Sequence, residues 1–244
     1  MDNTTVKYGT LPTVKITAPS GAQAIVSLYG AHLLSWKTAD GQERLFVSHR
    51  SSLDASRAVR GGVPVIFPQF AARGTGMRHG FARVSNWQLT ETGNHADAAF
   101  ARFVLTEMGL EPEVARAWPH DFKLVLDVVV RADDIRLTLG VHNTGTTPFE
   151  FSAALHTYFL VDDVANVRID GVQEGELAIT DKYDHIYFGV EGAMALRSGN
   201  GTLTLDQEGF PDAVIWNPGE ADTAALVDMG DEEYQHFVCI EPAA

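Results

Sequence analysis

Apolar and polar positions alternate along much of this chain with a period of two. Val14-Lys15-Ile16-Thr17 and Ala24-Ile25-Val26-Ser27-Leu28 show the pattern, with Pro19-Ser20-Gly21 between them. Alternation of this kind marks a strand with one buried face, and the Pro/Ser/Gly cluster marks the turn. Further strands are predicted at His32–Trp36, Leu45–Val47, Val63–Phe67, Trp87–Thr90, Ala99–Leu105 and Phe122–Val130. Beyond them lie Ile135–His142, Phe149–Phe159, Val167–Ile169, Ile186–Phe188, Leu203–Leu205, Ala213–Trp216 and Phe237–Glu241. Ala132-Asp133-Asp134 and Asn143-Thr144-Gly145-Thr146 read as hairpin turns. One helix is expected, around Gly109–Ala117, with Pro112 near its first turn. Strands do not alternate with helices, so a doubly wound parallel sheet is excluded. The pattern predicts an all-β fold, a large antiparallel β-sandwich, built as one domain over residues 1–244 without linker or repeat.

Composition narrows the function. The 244 residues include 18 basic and 32 acidic side chains, a formal charge of -14. Such a chain repels phosphate backbones, which argues against nucleic acid as a partner. No apolar stretch is long enough to span a bilayer, and the opening residues MDNTTVKYGT do not read as a secretory signal. Cys239 is the one cysteine, so no intramolecular disulfide can form. A reducing, cytoplasmic location is expected, with Cys239 as a buried, inert thiol in the run Phe237-Val238-Cys239-Ile240.

Against that acidic background, the segment from Arg50 to Arg83 stands out. It holds Arg50, Arg57, Arg60, Arg73, Arg78 and Arg83, no lysine, and Asp54 as its one acid. Arginine rather than lysine suits bidentate recognition of an oxyanion. Arg60-Gly61-Gly62 precedes the apolar run Val63–Phe67, so it reads either as a ligand-facing arginine on a rigid strand or as a tight turn with a surface arginine. Arg78-His79-Gly80-Phe81-Ala82-Arg83 places a histidine among cations that an anion would compensate. If extended, this segment would send Arg78, Gly80 and Ala82 to one side and His79, Phe81 and Arg83 to the other. His156, in Leu155-His156-Thr157-Tyr158-Phe159, is either a proton donor or a core histidine bonded to backbone. Glu241, in Cys239-Ile240-Glu241-Pro242, is either a desolvated base or a rim residue.

No HxH, HExxH or second cysteine supplies a metal set, and no GxxxxGK loop, dinucleotide fingerprint or GxSxG elbow is present. What is left is proton transfer, without metal or cofactor, on a small anionic substrate.

Taken in order, six segments resemble the hexose-6-phosphate mutarotases (glucose-6-phosphate 1-epimerases) of the aldose 1-epimerase superfamily. They are Tyr29–Lys37 (YGAHLLSWK), Val59–Pro68 (VRGGVPVIFP), His79–Arg83 (HGFAR), His156–Phe159 (HTYF), Pro211–Pro218 (PDAVIWNP) and Cys239–Pro242 (CIEP). The resemblance implies a galactose mutarotase-like supersandwich and interconversion of the α and β anomers of a hexose 6-phosphate through its open-chain aldehyde. It further implies that Glu241 removes the C1 hydroxyl proton and that His156 protonates the ring oxygen. Arg60 and Arg83 resemble the family's phosphosugar-contacting arginines, and Asp184 its contact to sugar hydroxyls. Asp212 and His79 are further substrate contacts, and Arg78 is a third arginine where the family often carries glutamine. The chain ends three residues after Glu241, which implies a sandwich short of the family's last C-terminal strands. The expected partner is one small phosphosugar bound by a monomer. The alternatives are an aldose 1-epimerase for unphosphorylated sugars and a non-catalytic carbohydrate-binding protein on the same fold.

Overall fold

A computed structural model of the chain describes residues 4–244, with side chains described from residue 8 onward. The chain divides into two compact units. The first comprises Met1–Arg44, Leu53–Ala58 and Pro64–Ala153, and the second Leu45–Ser52, Val59–Val63 and Ala154–Ala244.

The first unit contains two four-stranded sheets. One is the meander β1 (Thr4–Tyr8), β2 (Leu11–Thr17), β3 (Gln23–Ser27) and β4 (His32–Lys37). After the two-residue strand β5 (Val65–Ile66) comes the second, β6 (Gln88–His95), β7 (Ala98–Thr106), β8 (Phe122–Val130) and β9 (Ile135–Asn143). Strand β8 shows why the alternation reads so clearly. Phe122, Leu124, Leu126, Val128 and Val130 are all fully buried, while Lys123 between the first two is exposed. The Ala132-Asp133-Asp134 turn joins β8 to β9, with Arg131 N–H donating to the Asp134 carbonyl at 2.9 Å. Between β7 and β8 lies α1 (Pro112–Ala117), whose proline occupies the first turn, where a missing N–H goes unnoticed.

In the second unit, β10 (Ala154–Leu155) and β11 (Tyr158–Leu160) both pair with the later β18 (Phe237–Ala243). On its other edge β18 pairs with β17 (Asp212–Asn217), and β17 with β14 (Tyr183–Tyr187). A second sheet runs β13-β12-β15-β16, from β12 (Arg168–Asp170), β13 (Leu177–Ala178), β15 (Met194–Ser198) and β16 (Gly201–Leu205). Ile215, Val238 and Ile240 from the first sheet cluster with Ile169, Leu177, Met194 and Leu196 from the second. A sheet packed on a sheet through inward-pointing alternate residues is a sandwich. The short helix α2 (Gly219–Thr223) follows β17.

Every strand pairing named above is antiparallel, as the sequence pattern predicts. The differences are local. Leu45–Val47 is not a strand: Leu45 and Val47 form single bridges to Phe159 and Gly61. The expected strand Phe149–Phe159 is broken, and the Asn143–Thr146 turn leads into irregular chain rather than a hairpin partner. Strands β1, β13 and β15 and helix α2 lack a clear signal in the sequence. Among the described residues no helix is long and apolar enough to cross a membrane.

Candidate active site

The central strand β18 carries two different messages on its two faces. Val238 and Ile240 point into the sandwich core. Phe237 and Cys239 point the other way, against Phe46, Tyr158 and Met229. Alternation therefore places Glu241 on the Cys239 face. There it is 1% exposed, at the position where β18 meets Val214 of β17.

His156 reaches Glu241 through a break in the chain. The Thr157 N–H donates to the Leu155 carbonyl at 2.8 Å, and the Thr157 hydroxyl donates to the same oxygen at 3.2 Å. This tight turn separates β10 from β11 and aims the imidazole at the β18 face. The His156 Nδ1 lies 3.3 Å from Glu241 Oε1. The ring stacks on Tyr158, centroids 5.0 Å apart and planes 10° apart, and meets Trp216 edge-on at 5.9 Å. Aromatic walls of this kind fix ring orientation and keep the local dielectric low.

Electrostatics follow from that enclosure. Burial pushes the Glu241 carboxyl well above the usual carboxylate range, and the negative Asp184 adds to the effect. Its second oxygen, Oε2, is buried with no hydrogen-bond partner among the described residues. Asp184 is exposed on β14 and pairs with Trp216, which in turn pairs with Cys239. A row Asp184–Trp216–Cys239–Tyr158 thus crosses four adjacent strands beside the His156–Glu241 pair.

Arg60 joins this site through Tyr158. Its Nη1 donates to the Tyr158 hydroxyl at 3.1 Å, and Nε and Nη2 donate to Asp228 Oδ1 at 3.3 and 3.2 Å. Burial on its own would lower the Arg60 pKa, but Tyr158 and Asp228 outweigh it and hold the guanidinium firmly charged. Gly61, at φ +119°, lets this segment run against Phe46 and Val47, since any Cβ would strike the Phe46 carbonyl oxygen. Of the two readings for Arg60, the structure has a half-buried, partnered arginine rather than a surface one.

The remaining candidates are held differently. Asp212 begins β17 and accepts the Gly189 N–H at 3.0 Å, so its carboxylate ties the segment after β14 to the start of β17. In the first unit, residues 78–83 are not extended: His79 and Gly80 take φ of +64° and +67°, and a 3-10 turn follows over Ala82–Val84. A side chain at Gly80 would collide with the Phe67 carbonyl, which fixes this position as glycine. His79 is buried beside Phe70, with Nδ1 accepting the Ala71 N–H at 3.4 Å. Arg83 Nη2 donates to the Arg78 carbonyl at 3.0 Å, and the Arg78 side chain is exposed. Arg50 pairs with Asp231 at 3.1 Å.

Three residues of the site went unnoticed as such in the sequence. Tyr158 and Trp216 lay inside recognised segments, while Asp228 sits between Val227 and Met229 in a loop with nothing to single it out.

Known proteins resemble this chain in sequence and in fold. A protein of Cenchrus ciliaris, provisionally named a glucose-6-phosphate 1-epimerase, is 32% identical over 94% of this chain and 80% of its own length. One of Escherichia coli K12 with the same provisional name is 33% identical, over 91% and 79%. Among solved structures, a provisionally assigned mutarotase from Salmonella typhimurium superposes with a TM-score of 0.87. It is 28% identical, covering 98% of this chain and 88% of that one. A galactose mutarotase related enzyme from Lactobacillus acidophilus, 17% identical, shares the fold at a TM-score of 0.69 over 93% and 84%. The fold is thus of the galactose mutarotase-like kind. Residues 12–178, well over half the chain, match the aldose 1-epimerase family, and the chain belongs to that family.

Proposed function

We propose that the protein is a glucose-6-phosphate 1-epimerase, an isomerase that exchanges the α and β anomers of a hexose 6-phosphate. The observation that carries this reading is the buried His156–Glu241 pair at 3.3 Å. The provisional names of the relatives from Cenchrus ciliaris and Escherichia coli support it.

The chemistry needs one base, one acid and no change of oxidation state. Glu241 takes the proton from the C1 hydroxyl while His156 gives a proton to the ring oxygen. The C1–O5 bond breaks, leaving an aldehyde at C1 and a hydroxyl at C5. After rotation about C1–C2, the C5 hydroxyl returns its proton to His156 and attacks the other face, and Glu241 reprotonates the new C1 oxygen. Desolvation strengthens Glu241 as a base. Ring closure returns both protons, so the pair ends the cycle in the state in which it began it. Exposed Asp184 is suited to accept sugar hydroxyls.

Two-dimensional exchange NMR on glucose 6-phosphate, mannose 6-phosphate, galactose 6-phosphate and glucose tests the reading. Faster α/β exchange for a hexose 6-phosphate than for glucose is expected, and His156→Ala should slow it by about 10²–10⁴-fold. Equal turnover of glucose and glucose 6-phosphate would reject the phosphate preference. One observation favours the unphosphorylated-aldose alternative: the guanidinium of Arg60 is already engaged by Asp228 and Tyr158. We therefore assign Arg60 first to positioning Tyr158. Arg78→Ala and Arg83→Ala are the variants whose KM for glucose 6-phosphate, but not for glucose, reports a phosphate contact.

A further inference from the structure

Cys239 takes no part in the proton transfers above, yet it shares a face of β18 with Glu241, two residues away. Donor atoms of His156, Cys239 and Glu241 all lie within 4.8 Å of one another, and all three residues are buried. Sequence spacing hides the set, because His156 lies on a different strand connection and only antiparallel pairing of β11 with β18 brings it alongside. We propose that these three side chains bind a thiophilic divalent cation, zinc being the type case, and that the bound ion switches off the catalytic pair. The inhibitory half of this proposal rests on the reaction proposed above; the binding half does not.

Four features of the site support it. First, imidazole, thiolate and carboxylate together form a donor set that zinc accepts, and three protein ligands leave a fourth position open. Second, Glu241 Oε2 is fully buried without a hydrogen-bond partner among the described residues, and a buried acceptor in that state gains from a cation. Third, the charge balances. A dication beside one thiolate, one carboxylate and a neutral imidazole sums to zero, so the enclosed group carries no net charge into the low-dielectric interior. Fourth, the distances suit. A tetrahedral zinc draws its donors to about 3.3–3.7 Å apart, so the side chains must close by roughly an ångström, and no strand has to change register.

Binding replaces protons with metal. The ion takes the Cys239 sulfur and releases its proton to solvent, together with any proton held by Glu241 or the ligating nitrogen of His156. Affinity therefore rises with pH. The other ionisable groups acting on Cys239 and Glu241 are Arg60, Asp184 and Tyr158. Arg60 favours the thiolate, whereas burial and Glu241 oppose it until the cation arrives. With the ion in place, neither the base nor the acid is free to exchange protons with a sugar.

The test uses the full chain freed of metal by chelation, then titrated with Co²⁺ as a spectroscopic probe and Zn²⁺ as the inhibitor. One equivalent of Co²⁺ should produce a sulfur-to-cobalt charge-transfer band in wild type and none in Cys239→Ala or Cys239→Ser. Zn²⁺ should stop anomer exchange in wild type, reversibly on addition of chelator. The two cysteine variants should keep their basal exchange and need at least tenfold more Zn²⁺ for the same loss. Absence of the band in wild type, or equal Zn²⁺ sensitivity in folded variants, would overturn the proposal. A cobalt–sulfur band in a protein that exchanges no anomers would leave the metal site standing and remove the enzymatic reading instead.

Discussion

Glu241 is held in a state that favours chemistry over stability. Its carboxyl is buried, half of it lacks a hydrogen bond, and its proton affinity is raised by burial and by Asp184. A group whose folded pKa exceeds its unfolded value of about 4.3 supports the fold at low pH. That support is lost as pH rises toward the raised value. Glu241→Gln keeps the shape and removes the titration. Its melting temperature relative to wild type should therefore climb between pH 5 and pH 8, by about 2–4 °C for each kcal/mol relieved, while anomer exchange falls about 10²–10⁴-fold. Thermal denaturation at the two pH values, beside exchange NMR, reads both effects. A difference that is flat with pH would mean that Glu241 titrates normally in the fold. Local pattern leaves two readings open for both His156 and Glu241, and only the resemblance carried by His156–Phe159 and Cys239–Pro242 singles them out as an acid and a base. The partner of Arg60 was not legible: Asp228 lies 168 positions along the chain, and no local pattern announces it.

At the scale of elements, β18 joins core and site, one face to each. Ile240→Ala removes a fully buried side chain from the sandwich core and should destabilise by about 2–5 kcal/mol. Cys239→Ala, on the opposite face, deletes one sulfur atom and should destabilise less; urea titration of the two variants makes the comparison. Long strands whose inward positions are apolar throughout, such as β8 and β9, were read almost to the residue. Among those that went unseen, β13 and β15 are two and five residues long, and β15 carries Arg197, paired with Asp170 and Glu176. The break within 149–159 was also invisible, although its cause is concrete. Ser152 gives its N–H to the Pro68 carbonyl and accepts the Phe70 N–H, so this stretch finds its backbone partners outside a ladder. Apolar content matches burial at Ala153–Leu155, Tyr158 and Phe159 but not at exposed Phe151, and it could not say which partner the backbone would choose.

At the scale of the whole molecule, the chain passes between the two units at residues 44–45, 52–53, 58–59, 63–64 and 153–154. We propose that the units nevertheless form one folding domain, since the short segments 45–52, 53–58 and 59–63 are each assigned to a different unit from their neighbours. Calorimetry should then show a single transition whose van't Hoff and calorimetric enthalpies agree; two resolved transitions would refute this. The formal charge of -14 favours solubility while repelling anions at long range, which leaves recognition of any phosphate to local arginines. The bare Oε2 of Glu241 also bears on selection. A screen that rewards only robustness would favour replacing this carboxylate, and with it would discard the base we propose for turnover. Thermostabilised descendants of this chain should therefore be sorted by turnover before they are ranked by melting point.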